Sequence, residues 1–272
     1  MDGQSERLPD QVQKPLEAPE EATAKHHYRG IPILGHRPTH DAVFSVLSQA
    51  PPGSHVLDMG AGAGALSARL ADAGYQVQAC DLFPEVFQPA GIACHRADLN
   101  RRLPFDDNAF DVCVASEVIE HLEAPYRFVR ECARILRPGR LLIITLPNFA
   151  SVSSRVRFFL SGFYSMSARP CNEFEPNAVS DHINPMTCAQ VRYMLHTNGF
   201  HIRRVLSSNR RYRSIWFYLL YPLARLYTAH AFGKERHPQQ RAADRQILRT
   251  VFSADVLFGR NLIIAAENLK AE

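Results

Sequence analysis

The sequence predicts an α/β fold: a mainly parallel sheet with helices on both faces. Three observations lead there. Short apolar runs at 55–59, 76–80, 92–95, 110–115 and 141–146 read as strands. Helical patterns lie between several of them: Leu66, Leu70 and Ala73 share one face, as do Phe128, Val129, Cys132, Ile135 and Leu136. Strand–helix alternation of this kind builds parallel sheets through right-handed crossovers.

The elements follow in order. Residues 1–25 hold six acids and three bases around Pro9, Pro15 and Pro19 with no apolar period, so a disordered tail is expected. Apolar residues at helical spacing from His40 to Leu47 predict an amphipathic helix, ended by Pro51-Pro52-Gly53. Pro138-Gly139 is expected to stop the helix that carries Phe128. After Pro147 the rhythm fails for some 40 residues, then resumes with a helix at 187–197, a strand at 200–205 and a last strand at 261–266. The irregular stretches, about 148–186 and 208–254, read as insertions into one domain spanning 26–272.

Composition narrows the function classes. A hydrophobic fraction of 46% and a charged fraction of 21% belong to a globular chain with a sizeable core. The net charge of +4 is too small to mark a nucleic-acid binder, although 28 bases against 21 acids follow residue 25. The six cysteines form no C-x-x-C pair, so neither a thiolate metal site nor a disulfide framework is expected. No basic-then-apolar leader opens the sequence, and its longest apolar stretch, 215–227, is 13 residues and includes Pro222 and Arg225. A cytoplasmic protein is expected, with peripheral contact to the inner face of a membrane left open.

The first strand runs into Asp58-Met59-Gly60-Ala61-Gly62-Ala63-Gly64 and then a helix. Glycines let the backbone turn tightly and approach a ligand, and a helix N-terminus adds amide donors. A dinucleotide loop would space its glycines G-x-G-x-x-G, and an acid at Asp58 would repel pyrophosphate. An acid there suits a cationic ligand portion such as an amino group. Asp81 ends the second strand, placed to accept from ribose hydroxyls. Asp98 follows the third strand, where a carboxylate can receive an exocyclic amine.

These residues resemble the class I S-adenosylmethionine-dependent methyltransferases. The matching motifs, within residues 56–148, are VLDMGAGAG, the Asp81 strand end, ADL, LPFDDNAFDVCVASEVIEHL and ILRPGRLLIITLPN. Arg140 departs from the family, which has a second glycine after Pro-Gly. The resemblance implies a Rossmann-like sheet of seven strands with the last antiparallel. It places the methionine portion of the cofactor on Asp58, Gly60, Ala61, Gly62 and Gly64, the ribose on Asp81 beside Leu82, and the adenine on Asp98 and Leu99. Glu117 is expected to border the cofactor too, and Arg37 to meet its carboxylate.

A helix starting after the fourth strand would put Glu117, Glu120 and His121 on one face. Two carboxylates and an imidazole can hold a divalent cation, and His182 can close the coordination. Ubiquinone-pathway O-methyltransferases and small-RNA terminal 2′-O-methyltransferases are similar in having Glu-x-x-Glu-His and a later histidine. They use a metal to bind acceptor hydroxyls, which makes magnesium, manganese or zinc candidates here. Without a metal, His121 or His182 would be the general base and Glu120 a supporting group.

The expected reaction is O-methylation of a small-molecule or lipid-linked acceptor, saccharide or quinone-like. The insertions carry Arg155, Arg157, Phe158 and Phe159, then Arg203, Arg204, Arg210, Arg211 and Arg213 before an aromatic run. These could meet an anionic acceptor or, through 210–227, a membrane surface, or the aromatic run could simply be the inner face of a helical cap. Three rivals remain: a catalytically silent binding or activating subunit, an RNA terminal 2′-O-methyltransferase, and a nicotinamide oxidoreductase.

Overall fold

A computed structural model describes residues 26–165, 171, 181–210 and 217–270. A small antiparallel ladder, β1 (His27–Tyr28) with β2 (Ile31–Pro32), comes first. The Tyr28 hydroxyl donates to Asp72 Oδ2 at 2.7 Å, and Arg29 pairs with Asp72 at 2.8 Å. The ladder is thereby pinned to the end of α2, and the chain after it passes over the glycine loop.

The regular elements then run α1 (Arg37–Leu47), β3 (His55–Met59), α2 (Ala65–Asp72), β4 (Gln76–Asp81), β5 (Cys94–Arg96) and β6 (Phe110–Ser116). There follow α3 (Pro125–Ile135), β7 (Leu136–Pro147), α4 (Val152–Ser161), α5 (Cys188–His196) and β8 (Phe200–Ser207). The last are α6 (Phe217–Phe232), α7 (Pro238–Val251), α8 (Ala254–Phe258) and β9 (Asn261–Asn268).

The main sheet has seven strands in the order β5-β4-β3-β6-β7-β9-β8, and β9 runs antiparallel to both its neighbours. β3 to β7 are parallel. This is the sheet the sequence predicts. Two apolar layers hold it. Leu57, Met59, Cys113 and Ile144 point to one face, packed with Phe128, Ile135 and Met194 of α3 and α5. Val56, Val112, Val114 and Ile143 point to the other, packed with Val43, Leu47, Leu66 and Leu70 of α1 and α2. Burying each such side chain contributes roughly 1.5–3 kcal/mol relative to leaving it exposed.

Two expectations change. Pro138-Gly139 follows the helix from inside the next strand. α3 ends at Ile135, and both residues lie within β7, where Leu136 pairs with Phe110 and the register shifts before Leu141. Gly139 takes a φ of 72°, so the pair turns the strand rather than stopping a helix. The first insertion is also partly regular, containing α4, with Ser151 capping it by accepting from the Ser154 amide. The expected tail, 1–25, and residues 211–216 of the basic–aromatic run lie outside the described residues.

Candidate active site

Strand order reverses between β3 and β6, and in such sheets ligands bind beyond the strand carboxyl ends at that switch point. A cavity of about 420 Å³ opens there. Its wall includes Asp58, Gly60, Ala61, Gly62, Gly64, Asp81, Leu82, Asp98, Leu99 and Glu117, as the sequence predicts for a cofactor site. Glu120, His121 and His182 line it as well.

The glycine loop fits its turn tightly. Gly60 has φ 70°, and its amide donates to Cys80 O at 2.8 Å; a Cβ there would stand 2.6 Å from Val118. Gly64 is the left-handed N-cap of α2, with φ 87°, and a Cβ would stand 2.5 Å from Pro89. Neither position admits a side chain without displacement. Asp81 braces the loop: its Oδ2 accepts from the Gly62 amide at 2.8 Å and its Oδ1 from Phe83 at 2.9 Å.

Asp58 is buried, accepting from Ser67 Oγ at 2.6 Å. Burial pushes its carboxyl up to about 6, against the pull of the Ser67 hydrogen bond. Asp98 accepts from the Asn100 amide at 2.9 Å and from Arg101 Nε at 3.0 Å.

Five acids thus line the cavity, Asp58, Asp81, Asp98, Glu117 and Glu120, with no lysine or arginine among the described residues of its lining. A pyrophosphate-bearing dinucleotide would be repelled. A ligand carrying positive charge would be attracted.

Arg37 is a correction. It is exposed on the first turn of α1 and off the cavity wall, whereas His40 lines the cavity. The helix begins at Arg37 instead of His40, which turns Thr39 and Val43 to the core and His40 toward the cavity. Burial, then the nearby Arg69 charge, pulls His40 down to about 4, so it stands neutral.

Glu117 is the second correction. No α-helix starts after β6; there is a single 3-10 turn at Ile119–His121. Glu117 takes a left-handed φ of 56°, its amide donating to Thr145 Oγ1 at 2.9 Å. Its carboxylate accepts from the His36 amide and from Asn261 Nδ2. It is therefore bound to the segment before α1 and to the start of β9, and does not join the histidines.

The remaining three do converge. Glu120, His121 and His182 each offer a ligand atom, all within 4.8 Å of one another. Glu120 is buried, and neither carboxylate oxygen has a hydrogen-bond partner among the described residues. Burial, then the Glu117 charge, raises its carboxyl to about 8. His121 Nδ1 lies 2.9 Å from Asp181 O, which fixes the proton on Nδ1 and leaves Nε2 with its lone pair. Burial, then His182, pulls His121 down to about 4. Both groups move toward neutrality, so their 4.0 Å approach is not an ion pair at neutral pH. Asn184 holds the His182 segment in place: its amide donates to Glu120 O at 2.9 Å, and its side chain to Leu122 O.

Of the predicted basic cluster, Arg203, Arg204 and Arg210 are described and stand off this site, while Arg211 and Arg213 lie outside the described residues. Arg203 pairs with Glu267 and Arg210 with Asp255, and neither they nor Arg204 lines the cavity.

Residues 57–144 match the family model described as a methyltransferase domain. The chain carries a class I methyltransferase fold. A Mycolicibacterium smegmatis protein named "Probable S-adenosylmethionine-dependent methyltransferase" is 29% identical to it over 171 residues, 61% of this chain and 60% of that protein. The ubiquinone biosynthesis O-methyltransferase of Xanthomonas campestris pv. campestris is 33% identical over 110 residues, 36% of this chain and 45% of that protein. The chain thus spans less than two thirds of either relative. A SAM-dependent methyltransferase structure from Archaeoglobus fulgidus superposes with a TM-score of 0.52 at 17% identity, covering 84% of this chain and 94% of that one. The methyltransferase domain match spans β3 through most of β7, the part of the sheet that builds the cavity.

Proposed function

We propose that the protein is an S-adenosylmethionine-dependent O-methyltransferase acting on a hydroxyl of a small-molecule or lipid-linked acceptor. One observation carries the cofactor: five acids and, among the described residues, no lysine or arginine around a cavity at the switch point. That donor set fits a cofactor with an ammonium, a sulfonium and a hydroxylated ribose. Asp58 would hold the ammonium, Asp81 the ribose hydroxyls, and Asp98 with Leu99 the adenine. S-adenosylmethionine supplies, when bound, a methyl group already activated on sulfur, so the protein's task is positioning and exclusion of water.

The acceptor end of the cavity is the Glu120–His121–His182 cluster. A carboxylate buried with both oxygens unpaired costs stability, and two imidazoles beside it make a mixed oxygen–nitrogen ligand set. That set fits a magnesium, manganese or zinc ion, which would lower the pKa of an acceptor hydroxyl bound to it. Without an ion, His121 Nε2, with its proton on Nδ1, would be the group placed to take the hydroxyl proton. Leu223, Leu226 and Tyr227 of α6 are 64%, 68% and 77% exposed beside Arg225, which supports contact with a membrane surface and a lipid-linked acceptor.

Isothermal titration with S-adenosylhomocysteine tests the cofactor, and no measurable binding would end the reading. Turnover with a catechol acceptor, assayed before and after exhaustive chelation, tests the ion. Activity should fall on chelation and return with one of the three metals, whereas unchanged turnover would leave His121 acting alone.

A further inference from the structure

A second cavity of about 340 Å³ adjoins the first. The nearly inaccessible Phe149 ring stands between them, 6.1 Å from the His182 ring of the first and 5.6 Å from the Tyr164 ring of the second. On the far side Phe158 and Tyr164 stack at 4.7 Å with planes 22° apart. Val251 and Val256 close the wall. The surface offered to a ligand is aromatic and aliphatic.

Among the described residues one charge lies on this wall, Arg155 of α4. It is half-buried, and its Nε donates to Ala150 O at 2.8 Å. Other arginines of the protein meet acids: Arg134 pairs with Glu131 and Asp107, and Arg210 with Asp255. Arg155 forms no ion pair among the described residues, and burial alone pulls its pKa below the usual arginine value. A cation taken partly out of water with no anion beside it is costly, and an incoming anion repays that cost.

The other polar groups of the wall do not compete. Thr187 Oγ1 is committed to capping α5, accepting from the Gln190 amide. The Cys188 thiol is pushed up to about 11 by burial, so it is neither an anion nor a nucleophile at neutral pH.

We propose that this cavity holds the part of the acceptor distant from the reacting hydroxyl, and that this part is an aromatic or apolar body bearing a single anionic group on Arg155. To reach both cavities the acceptor must displace the Phe149 ring that stands between them. The inference rests on the O-methyltransferase reading of the first cavity and adds the acceptor's charge to it. A single guanidinium, with no second basic side chain among the described residues of the wall, suits a monoanion better than a dianion.

The test is calorimetric titration of the full chain, saturated with S-adenosylhomocysteine, using benzoate, phenyl phosphate and benzamide as probes. Benzoate should bind at least about tenfold more tightly than the isosteric, neutral benzamide. Arg155→Met should remove that preference and leave S-adenosylhomocysteine affinity unchanged. Phe158→Ala, at a 46% exposed position that the fold tolerates, should weaken both probes several-fold. Phenyl phosphate binding as tightly as benzoate would assign the anion to a phosphate ester and sustain the proposal. Equal affinity for benzoate and benzamide in the wild-type protein, or a benzoate preference that survives Arg155→Met, would overturn it. Absence of S-adenosylhomocysteine binding would instead fall on the first cavity, so the two failures read separately.

Discussion

Asp58→Asn should make the protein more stable and less able to bind its cofactor. The carboxyl is buried, and its pKa rises from 3.8 unfolded to about 6 folded. A carboxyl raised on folding stabilises the fold only when protonated: its contribution is full below pH 3.8 and lost as pH rises through about 6. At pH 8 the ionised side chain therefore costs the fold about 3 kcal/mol, the shift of about two units at about 1.4 kcal/mol each. At pH 5 the cost is about half that, because the folded form is still protonated while the unfolded chain is not. Asparagine removes the charge and can keep an acceptor for Ser67 Oγ, so most of the difference should appear as a gain. Urea unfolding at the two pH values measures it. Calorimetry on the same variant should show S-adenosylhomocysteine binding weakened at least about tenfold, the loss expected for an ammonium that no longer meets a carboxylate. Equal stability of variant and wild type at pH 8, or a gain of the same size at pH 5, would refute the reasoning.

Two further outcomes follow from the same geometry. Gly64→Ala sets a Cβ at φ 87° and within 2.5 Å of Pro89 and 2.6 Å of Phe87, so urea unfolding should show a loss of about 3 kcal/mol or more. Leu226→Asp, at a 68% exposed site, should change stability by less than about 0.5 kcal/mol while abolishing co-sedimentation with anionic vesicles at low salt.

The sheet was legible because its strands are short, apolar and separated by helices whose faces repeat at 3.6 residues. The cofactor acids were legible for a related reason. Asp58 and Asp81 lie at or near strand ends and Asp98 just after one, so locating the strands located the carboxylates. Glu117 was not, because its environment is non-local: the antiparallel register of β7 with β9 pairs Pro147 with Asn261 and brings that side chain to Glu117. A spacing rule for helices has no purchase on a residue in a left-handed turn. The resemblance put Arg37 on the cofactor and gave His40 no role; which residue of α1's first turn meets the cavity is set by how that helix packs on the sheet, which the sequence does not spell out. The Arg155 cavity had a compositional signal in its arginine and aromatics. Only packing shows that Phe149, Phe158 and Tyr164 line one cavity with that arginine, while Arg203 and Arg210 are held by Glu267 and Asp255.

Charge placement also separates binding from catalysis. The acid-lined cavity favours a positively charged cofactor over the uncharged thioether that remains once the methyl has left. Interactions that weaken as charge is lost stabilise the bound ground state more than the transition state, so Asp58 and its neighbours can improve occupancy without raising turnover. On the proposed O-methyltransferase reading, acceleration has to come from groups whose interaction strengthens as the acceptor hydroxyl loses its proton. The cluster of Glu120, His121 and His182 has that character: one imidazole nitrogen carries a lone pair, and both oxygens of a buried carboxyl are unpaired. Residues of the glycine loop and of the cluster should accordingly divide under substitution, the first raising KM for the cofactor and the second lowering kcat.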